Sequence, residues 1–553
     1  MKVTTFGGRR PIWLLLAVFC LGPSESAWAQ MDDDTFRGIV AELGDANFRE
    51  KEAIAERLLE SGHPGVRDVL TALMNGRVFM GGQNEVAFIV ESTAEELAEF
   101  TLLDPANQRV LGMSQPSELS RVITNNQLRR FLRTVVPRFS LASPDAEVRL
   151  EAVRQIMRAL DATAIELLRA RIGLEDDERI LYEIDTALAL SMLDEGTSNQ
   201  RLSAVNTLSD RLHPEVYNRL SLLVGQAEDG SFVEPNADVR RAANEALGGI
   251  ELARTFYSVL ETAFFGLSLG SVLALVAIGL TITFGVMGVI NMAHGELMML
   301  GAYTTYVVQL LMPDHLDLSI LVAIPAAFLV AGSAGVLIER TIIRFLYGRP
   351  LETLLATFGV SLVLQQLVRT VFSPNNRPVV TPTWMSGSLQ INEAFSLTYN
   401  RLYIVLISLV VFGVLLAVFK HTRIGLDIRA VSQNRFMARA LGVRSQWVDA
   451  MTFGLGSGIA GVAGVALSQI SNVGPNLGQA YIIDSFMVVV FGGVGNIWGT
   501  LIGGMSLGIV NKVLEPFAGA VLGKIFVLVA VILFIQRRPK GLFPQTGRAA
   551  EGA

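Results

Sequence analysis

Two kinds of hydrophobic patterning divide the chain. From Thr255 onward, apolar residues run in blocks long enough to cross a bilayer: about 262–286, 296–312, 319–341, 353–372, 402–419, 450–470, 481–494, 498–514 and 519–536. Between residues 30 and 254 they instead recur three, four and seven apart, the spacing of one helix face. Arg149 is followed by Ala152 and Ile156, Arg201 by Ala204 and Leu208, and Arg240 by Ala243 and Leu247. Asp145, Asn199 and Asn236 stand just upstream as expected N-caps. The intervals between the arginines, 52 and 39 residues, are near the length of a HEAT-type helix pair. The expected fold class is therefore all-α. Eight to ten spanning helices, many of them short or glycine-rich, follow a soluble HEAT-like helical domain.

The first 29 residues form a third piece. Lys2, Arg9 and Arg10 precede the apolar run Ile12–Leu21, and Ala27-Trp28-Ala29 closes it. These are the parts of a secretory signal peptide, with an uncleaved anchor as the alternative. Cys20, the only cysteine, lies inside it, so the remainder carries no disulfide and no cysteine metal ligand. Charge separates the other two pieces. Residues 31–254 hold 38 acidic and 24 basic side chains, a net of −14, whereas residues 255–553 hold 12 and 18, a net of +6. The expected domains are a signal peptide (1–29), an exported helical domain (30–254), a membrane domain (255–545) and a short tail (546–553).

Basic loops orient the spans. Arg340, Arg344 and Arg349 follow the third, Lys420 through Arg444 follow the fifth, and Arg537, Arg538 and Lys540 follow the last. Counting nine spans from an exported N-terminus puts all three clusters on the cytoplasmic side, as the positive-inside rule requires. The long polar connection 373–400, with Pro374, Pro378 and Pro382, then falls on the exported side. There it either covers the mouth of a pathway or is simply solvated.

Gly454, Gly456, Gly458, Gly461 and Gly464 punctuate the sixth span with small-xxx-small spacing, which lets helix backbones approach closely. A second glycine pattern occurs twice. Phe284-Gly-Val-Met-Gly288 is echoed by Phe491-Gly-Gly-Val-Gly495, followed by Asn291 and Asn496 respectively. Such interruptions are the mark of broken helices that line a pathway. Polar and ionisable residues at span edges are costly unless paired or wetted, which singles out His294 and Glu296, with Asn291 beside them. Two apart, His294 and Glu296 point in opposite directions on a helix, and Gly295 between them favours an irregular turn. Helix capping is the competing role for this segment. Gln469, Asn472 and Asp484 are the second set of pathway candidates; none of these residues forms a metal cage.

The closest approach to a P-loop, Gly519 to Ile525, is one residue short and has Ile where Ser or Thr must meet magnesium. An ATPase, where one drives transport, is another chain. Its expected contact is the basic segment Lys420–Arg444, containing a helix over 428–441 with Ala430, Met437, Ala438 and Leu441 on its apolar face and Gly442 ending it.

At these residues a family resemblance enters. Phe284 through Glu296 resembles the signature of the hydrophobic amino acid uptake permeases, which include branched-chain amino acid and urea permeases. Arg429 through Gln433, Asn434, Ala438, Leu441, Gly442 and Val443 resembles their ATPase-coupling segment, and Arg537 through Phe543 their usual ending. Gly285–Gly288, Leu467–Ile470, Asn472–Asn476 and Ile483–Met487, together with the N-terminal extension, are most similar to the urea permease subunit. The resemblance implies the permease of an ATP-driven urea importer in a bacterial inner membrane, its N-terminal domain in the periplasm. Its implied partners are a second homologous permease, two cytoplasmic ATPases, a periplasmic urea-binding protein and membrane lipid. No cofactor and no nucleic acid is expected, and the chain itself is not an enzyme. The alternatives are an importer of branched-chain amino acids or short amides, and a membrane-anchored sensor.

Overall fold

Side-chain caps start most helices of the N-terminal part. The computed structural model describes residues 31–81, 86–91, 99–226 and 230–543. The expected signal peptide and its cleavage site lie outside these residues. The chain divides into two units, Met1–Leu247 and Gly248–Ala553.

The first unit begins with α1 (Asp33–Ala41), α2 (Phe48–Glu60) and α3 (Val66–Met74). An antiparallel five-stranded sheet follows: β1 (Val78–Gly81), β2 (Val86–Val90), β3 (Phe100–Leu103), β4 (Val110–Ser114) and β5 (Leu119–Arg121), in the order β4-β3-β2-β1-β5. The chain as a whole is mainly helical, as expected, but this unit also contains strands. Val78, Met80, Ala87 and Ile89 join the core formed by α1 to α4, while Phe79, Val90, Phe100 and Leu102 form a separate cluster. Alternation over strands of three to five residues is too short to stand out beside helical periodicity. The unit then returns to helices: α4 (Asn126–Ser140), α5 (Ala146–Met157), α6 (Ala162–Ile172), α7 (Glu178–Glu195), α8 (Ser198–Leu208), α9 (Pro214–Val224) and the start of α10 (Ala237–Met287).

The three arginines noticed in the sequence share one job. Arg149 donates to the carbonyls of Ser143 and Pro144, Arg201 to that of Gly196, and Arg240 to those of Glu234 and Pro235. Arg149 also grips Glu175 through two bonds (2.9 and 2.8 Å), and Arg201 grips Glu234 likewise (2.8 and 3.0 Å). Each carboxylate lies two residues before a helix cap, Asp177 of α7 or Asn236 of α10. The start of α5 is thus tied to that of α7 and the start of α8 to that of α10, one helix being skipped each time. Asp145 and Asn236 cap as expected. For α8 the cap is Thr197, in a capping box with Gln200, and Asn199 is inside the helix.

The second unit comprises the rest of α10, then α11 (His294–Leu311), α12 (Leu316–Thr341), α13 (Pro350–Phe372), the hairpin β6 (Ser388–Asn392) and β7 (Phe395–Thr398), α14 (Tyr399–His421), α15 (Arg423–Gln433), α16 (Arg435–Ala440), α17 (Ser445–Ser468), α18 (Leu477–Gly492) and α19 (Ile497–Arg537). Among the described residues, six helices are long and apolar enough to cross a membrane: α10, α12, α13, α14, α17 and α19. The larger number expected from the sequence counts α11, the shorter α18 and both halves of α19 separately, since α19 is two helices joined at Gly519 (φ 75°). The segment that faintly resembled a P-loop is this kink.

Helix α17 is the hub. Of its most apolar stretch 89% is buried, against 22% for α14. Its glycines meet backbone: a Cβ on Gly456 would lie 2.5 Å from the Gly279 carbonyl oxygen of α10, on Gly464 2.8 Å from Ala302 N of α11, and on Gly461 2.5 Å from the Ala327 carbonyl oxygen of α12. Lipid tails are as apolar as leucine, so close backbone packing, rather than hydrophobic exclusion, holds such helices together.

At one end of the bundle, the connection 373–398 is tied down. Gln309 of α11 exchanges two hydrogen bonds with Val380 (2.8 and 2.9 Å), Arg377 exchanges two with Val473 (2.7 and 3.0 Å), and Asp317 of α12 accepts from Thr383. The loop thus lies across the ends of α11 and α12 and the α17–α18 connection. The basic clusters lie at the opposite helix ends: Arg340 ends α12, Arg349 caps α13, and Arg444 caps α17.

Two expectations follow. The Arg149 pair holds the Glu175 carboxyl down to about 2, against an ordinary 4.5. Because the folded value is the lower one, this stabilisation, about 3 kcal/mol, is complete above about pH 4.5 and is lost as pH falls toward 2. Hydrogen-exchange protection factors in α5–α7 of the full chain should fall across that window, and Glu175→Gln should flatten the dependence. Separately, Gly464→Val should cost at least about 1–3 kcal/mol by overpacking. Gly413→Val, where a Cβ meets nothing within 4 Å, should leave the melting temperature of the detergent-solubilised chain nearly unchanged.

Candidate functional site: a polar seam at mid-bundle

The glycine pattern at 284–288 ends α10. Gly288 takes φ 65°, its N–H donates to the Phe284 carbonyl (2.9 Å), and the chain turns back. The Asn291 side-chain Oδ1 accepts from Ala293 N–H (3.0 Å), and Met292 N–H donates to Thr357 Oγ1 of α13 (3.1 Å). The echoing pattern ends α18, and the two pack together: a Cβ on Gly285 would lie 2.8 Å from Gly495 Cα. The turn delivers His294 and Glu296 onto the first turn of a regular helix, α11, not onto the irregular turn expected from Gly295.

As helix geometry requires, the two side chains diverge. His294, fully buried, donates from Nε2 to the Val276 carbonyl of α10 (3.0 Å), which places the proton on Nε2. Glu296, 1% exposed, turns toward α13. Its Oε1 accepts from Ser361 Oγ (3.1 Å) and Gln365 Nε2 (2.7 Å), whereas Oε2 has no hydrogen-bond partner among the described residues. Gly295 and Gly478 stand face to face across α11 and α18; a Cβ on Gly478 would lie 2.7 Å from Glu296 Oε2. Both helices begin here without a side-chain cap, so two helix N-termini and a carboxylate converge.

The depth of this point is set by its neighbours. Ser361 and Gln365 lie near the middle of the 23-residue α13, and Gly456, which meets Gly279 beside His294, lies near the middle of the 24-residue α17. Helices α11 and α18 therefore start inside the bundle. The feature missed from sequence is the partner face. Thr353, Thr357, Ser361 and Gln365 are buried at four-residue intervals on α13, while Leu351, Leu355, Leu362 and Val363 are exposed. Polar residues inward and leucines outward, at helical spacing, were the available signal. Arg369 continues the stripe and donates to Asn476 (2.6 Å), ahead of α18.

The second set of candidates does not join this seam. Gln469 is buried and donates to Ser468 (3.2 Å), and Asn472 is exposed. Asp484 makes an ion pair with Lys524 of α19 (2.8 Å).

The coupling segment also differs from the single helix expected. Asn434 breaks it into α15 and α16, capping the latter by accepting from Met437 N–H (2.9 Å). Gly442, at φ 91°, ends it as expected. Ile428, Val431 and Ala438 pack inward with Val448, so Ala438 is a packing residue rather than part of a free face. Phe436, Met437 and Leu441 are exposed, as are Arg429, Gln433, Asn434 and Gly442.

The family described as "Branched-chain amino acid transport system / permease component" matches residues 262–536. A permease protein of the high-affinity branched-chain amino acid transport system of Pseudomonas aeruginosa, BraD, is 33% identical over 304 residues, 52% of this chain and 96% of its own. LivH of Escherichia coli, named for the same kind of system, is 32% identical over 302 residues, 53% and 97% of the two chains. The ribose import permease RbsC of Escherichia coli is 27% identical over 310 residues, 51% and 86%. No solved structure matches the chain. The chain is a multi-pass membrane protein, and it belongs to the branched-chain amino acid transport permease family, the permease components of ABC transporters.

Proposed function

We propose that this chain forms the translocation path of an ATP-driven importer whose solute is a branched-chain amino acid or a short amide. One observation carries the reading: a buried carboxylate with a free oxygen, set at mid-bundle where two uncapped helices begin. A buried acceptor without a donor is costly, and a solute N–H or ammonium supplies the donor. The helix N-termini favour the solute's carboxylate or carbonyl oxygen, as in transporters built from discontinuous helices. The names of the relatives support the amino acid over urea.

Urea is the second reading. The groups around Glu296 are a carboxylate, an amide and a hydroxyl, and Gly295 against Gly478 leaves no room there for even a methyl group. That complements a small diamide better than an isobutyl side chain. In both readings separate ATPase chains bind the exposed Phe436, Met437 and Leu441 at the cytoplasmic end, a second permease completes the path, and a periplasmic protein delivers solute. The loop charges support a periplasmic position for the N-terminal unit. ATP-dependent uptake of labelled leucine and labelled urea into vesicles bearing the full complex separates the readings. A sensor that moves no solute would show neither.

Glu296→Ala should lower uptake by about a hundredfold, and Glu296→Gln by about tenfold, with assembly retained. His294→Ala, which frees the Val276 carbonyl beside the Gly279–Gly456 contact, should lower uptake through misplacement of α11. Wild-type uptake in both alanine variants removes these residues from the path.

A further inference from the structure

At the basic end of the bundle a second buried acidic cluster lies well away from the seam. The close contacts between α12 and α17 fix an antiparallel register. Gly335 meets Phe453 and Ser457, Val336 meets Gly454, and Phe328 meets Gly458. One turn further along, Arg340 lies over the Trp447 ring (5.5 Å). That register sets Glu339 of α12 opposite Asp449 of α17. Both are buried, 2% and 4% exposed.

Two carboxylates facing each other in a membrane bundle call for a cation, and one comes from the coupling segment. Arg435, the first residue of α16, donates both guanidinium N–H groups to the two oxygens of Asp449 and lies over the Tyr347 ring (4.1 Å). Arg439, one turn on, donates to Ser445 Oγ (2.6 Å) in the first turn of α17. Helix α16 is thereby pinned to α17 at two points, and α17 is packed backbone-to-backbone against α10, α11 and α12. Glu339 receives less. Its nearest cation is Arg340 (3.6 Å), which stacks on Trp447, and its Oε2 has no hydrogen-bond partner among the described residues. A bidentate arginine thus sits on one carboxylate with a second, under-partnered carboxylate across the same interface.

We propose that Arg435 is the transmission link between the coupling segment and the spans, with Glu339 as its second seat: the guanidinium rests on Asp449 in the conformation seen here and passes to Glu339 when the ATPases drive α16 toward α12. The proposal rests on the importer reading for its motive force, but not for the two seats. Moving a fixed charge between two prebuilt acceptors provides two discrete arrangements, which a relay of motion needs. Arg435 and Glu339 are positioning residues, acting on the seam through α17 and α12.

Two measurements test this. In the solubilised full chain, Glu339→Gln should leave the melting temperature unchanged or raised, because it removes a poorly paired buried charge. In an Asp449→Asn background, where Arg435 has only Glu339 to bind, the same substitution should lower the melting temperature by at least about 4 °C. An equal effect in both backgrounds overturns the second seat. In the full complex, Glu339→Gln should reduce solute moved per ATP hydrolysed by about tenfold with assembly intact, and should have no further effect once Arg435→Gln is present. Additive losses, or an unchanged ratio, overturn the transmission role. Absence of ATP-dependent uptake by the wild-type complex sinks the importer reading alone, and the melting comparison still decides the seats.

Discussion

The close approach of glycine backbones around α17 is the constraint on which the membrane unit depends. Inside a bilayer no hydrophobic penalty pushes helices together, so they associate by packing and by hydrogen bonds that lipid cannot offer. Gly456, Gly461 and Gly464 let α17 touch the backbones of α10, α12 and α11 in turn. Those contacts set the depth at which α11 can begin, and hence the depth of Glu296. Any side chain at these positions would separate the helices that frame the seam.

Because α11 and α18 start inside the bundle, their first turns bring uncapped N-termini to mid-depth, where water is scarce. This is an expensive arrangement for a static scaffold and a useful one for a path. The carboxylate of Glu296 is held on one oxygen by α13 and left open on the other. The same logic recurs at the basic end, where Arg435 joins the coupling segment to α17 and Glu339 stands under-partnered across the interface. The hub helix links the two places, so a shift of its first turn is a shift of the walls of the seam.

Much of this was legible in residues. Every apolar block corresponds to a helix, and the glycine echoes at 284–288 and 491–495 mark two real helix ends that pack on each other. The arginine repeat of the N-terminal unit was visible as spacing, but its use, a guanidinium tying the carbonyls before one helix to the acid before the cap of the helix after next, was not. The five-stranded sheet escaped notice because its strands are four or five residues long or shorter and alternate between two cores. Asp484 looked like a free pathway carboxylate, yet its partner Lys524 lies forty positions away. Sequence distance hides such pairs.

Local chemistry alone determined the division into an acidic N-terminal part and a basic membrane part, the helix ends at Gly288 and Gly442, and the cost of placing Glu296 in an apolar setting. These follow from composition, φ preference and desolvation, which need no neighbours. Tertiary structure decided that Ser361 and Gln365 supply the wall facing Glu296, that Asp484 is paired with Lys524, and that Arg435 sits on Asp449. Each of these is a matter of which helix faces which, and that choice was made by glycines on α17 whose contacts lie far along the chain.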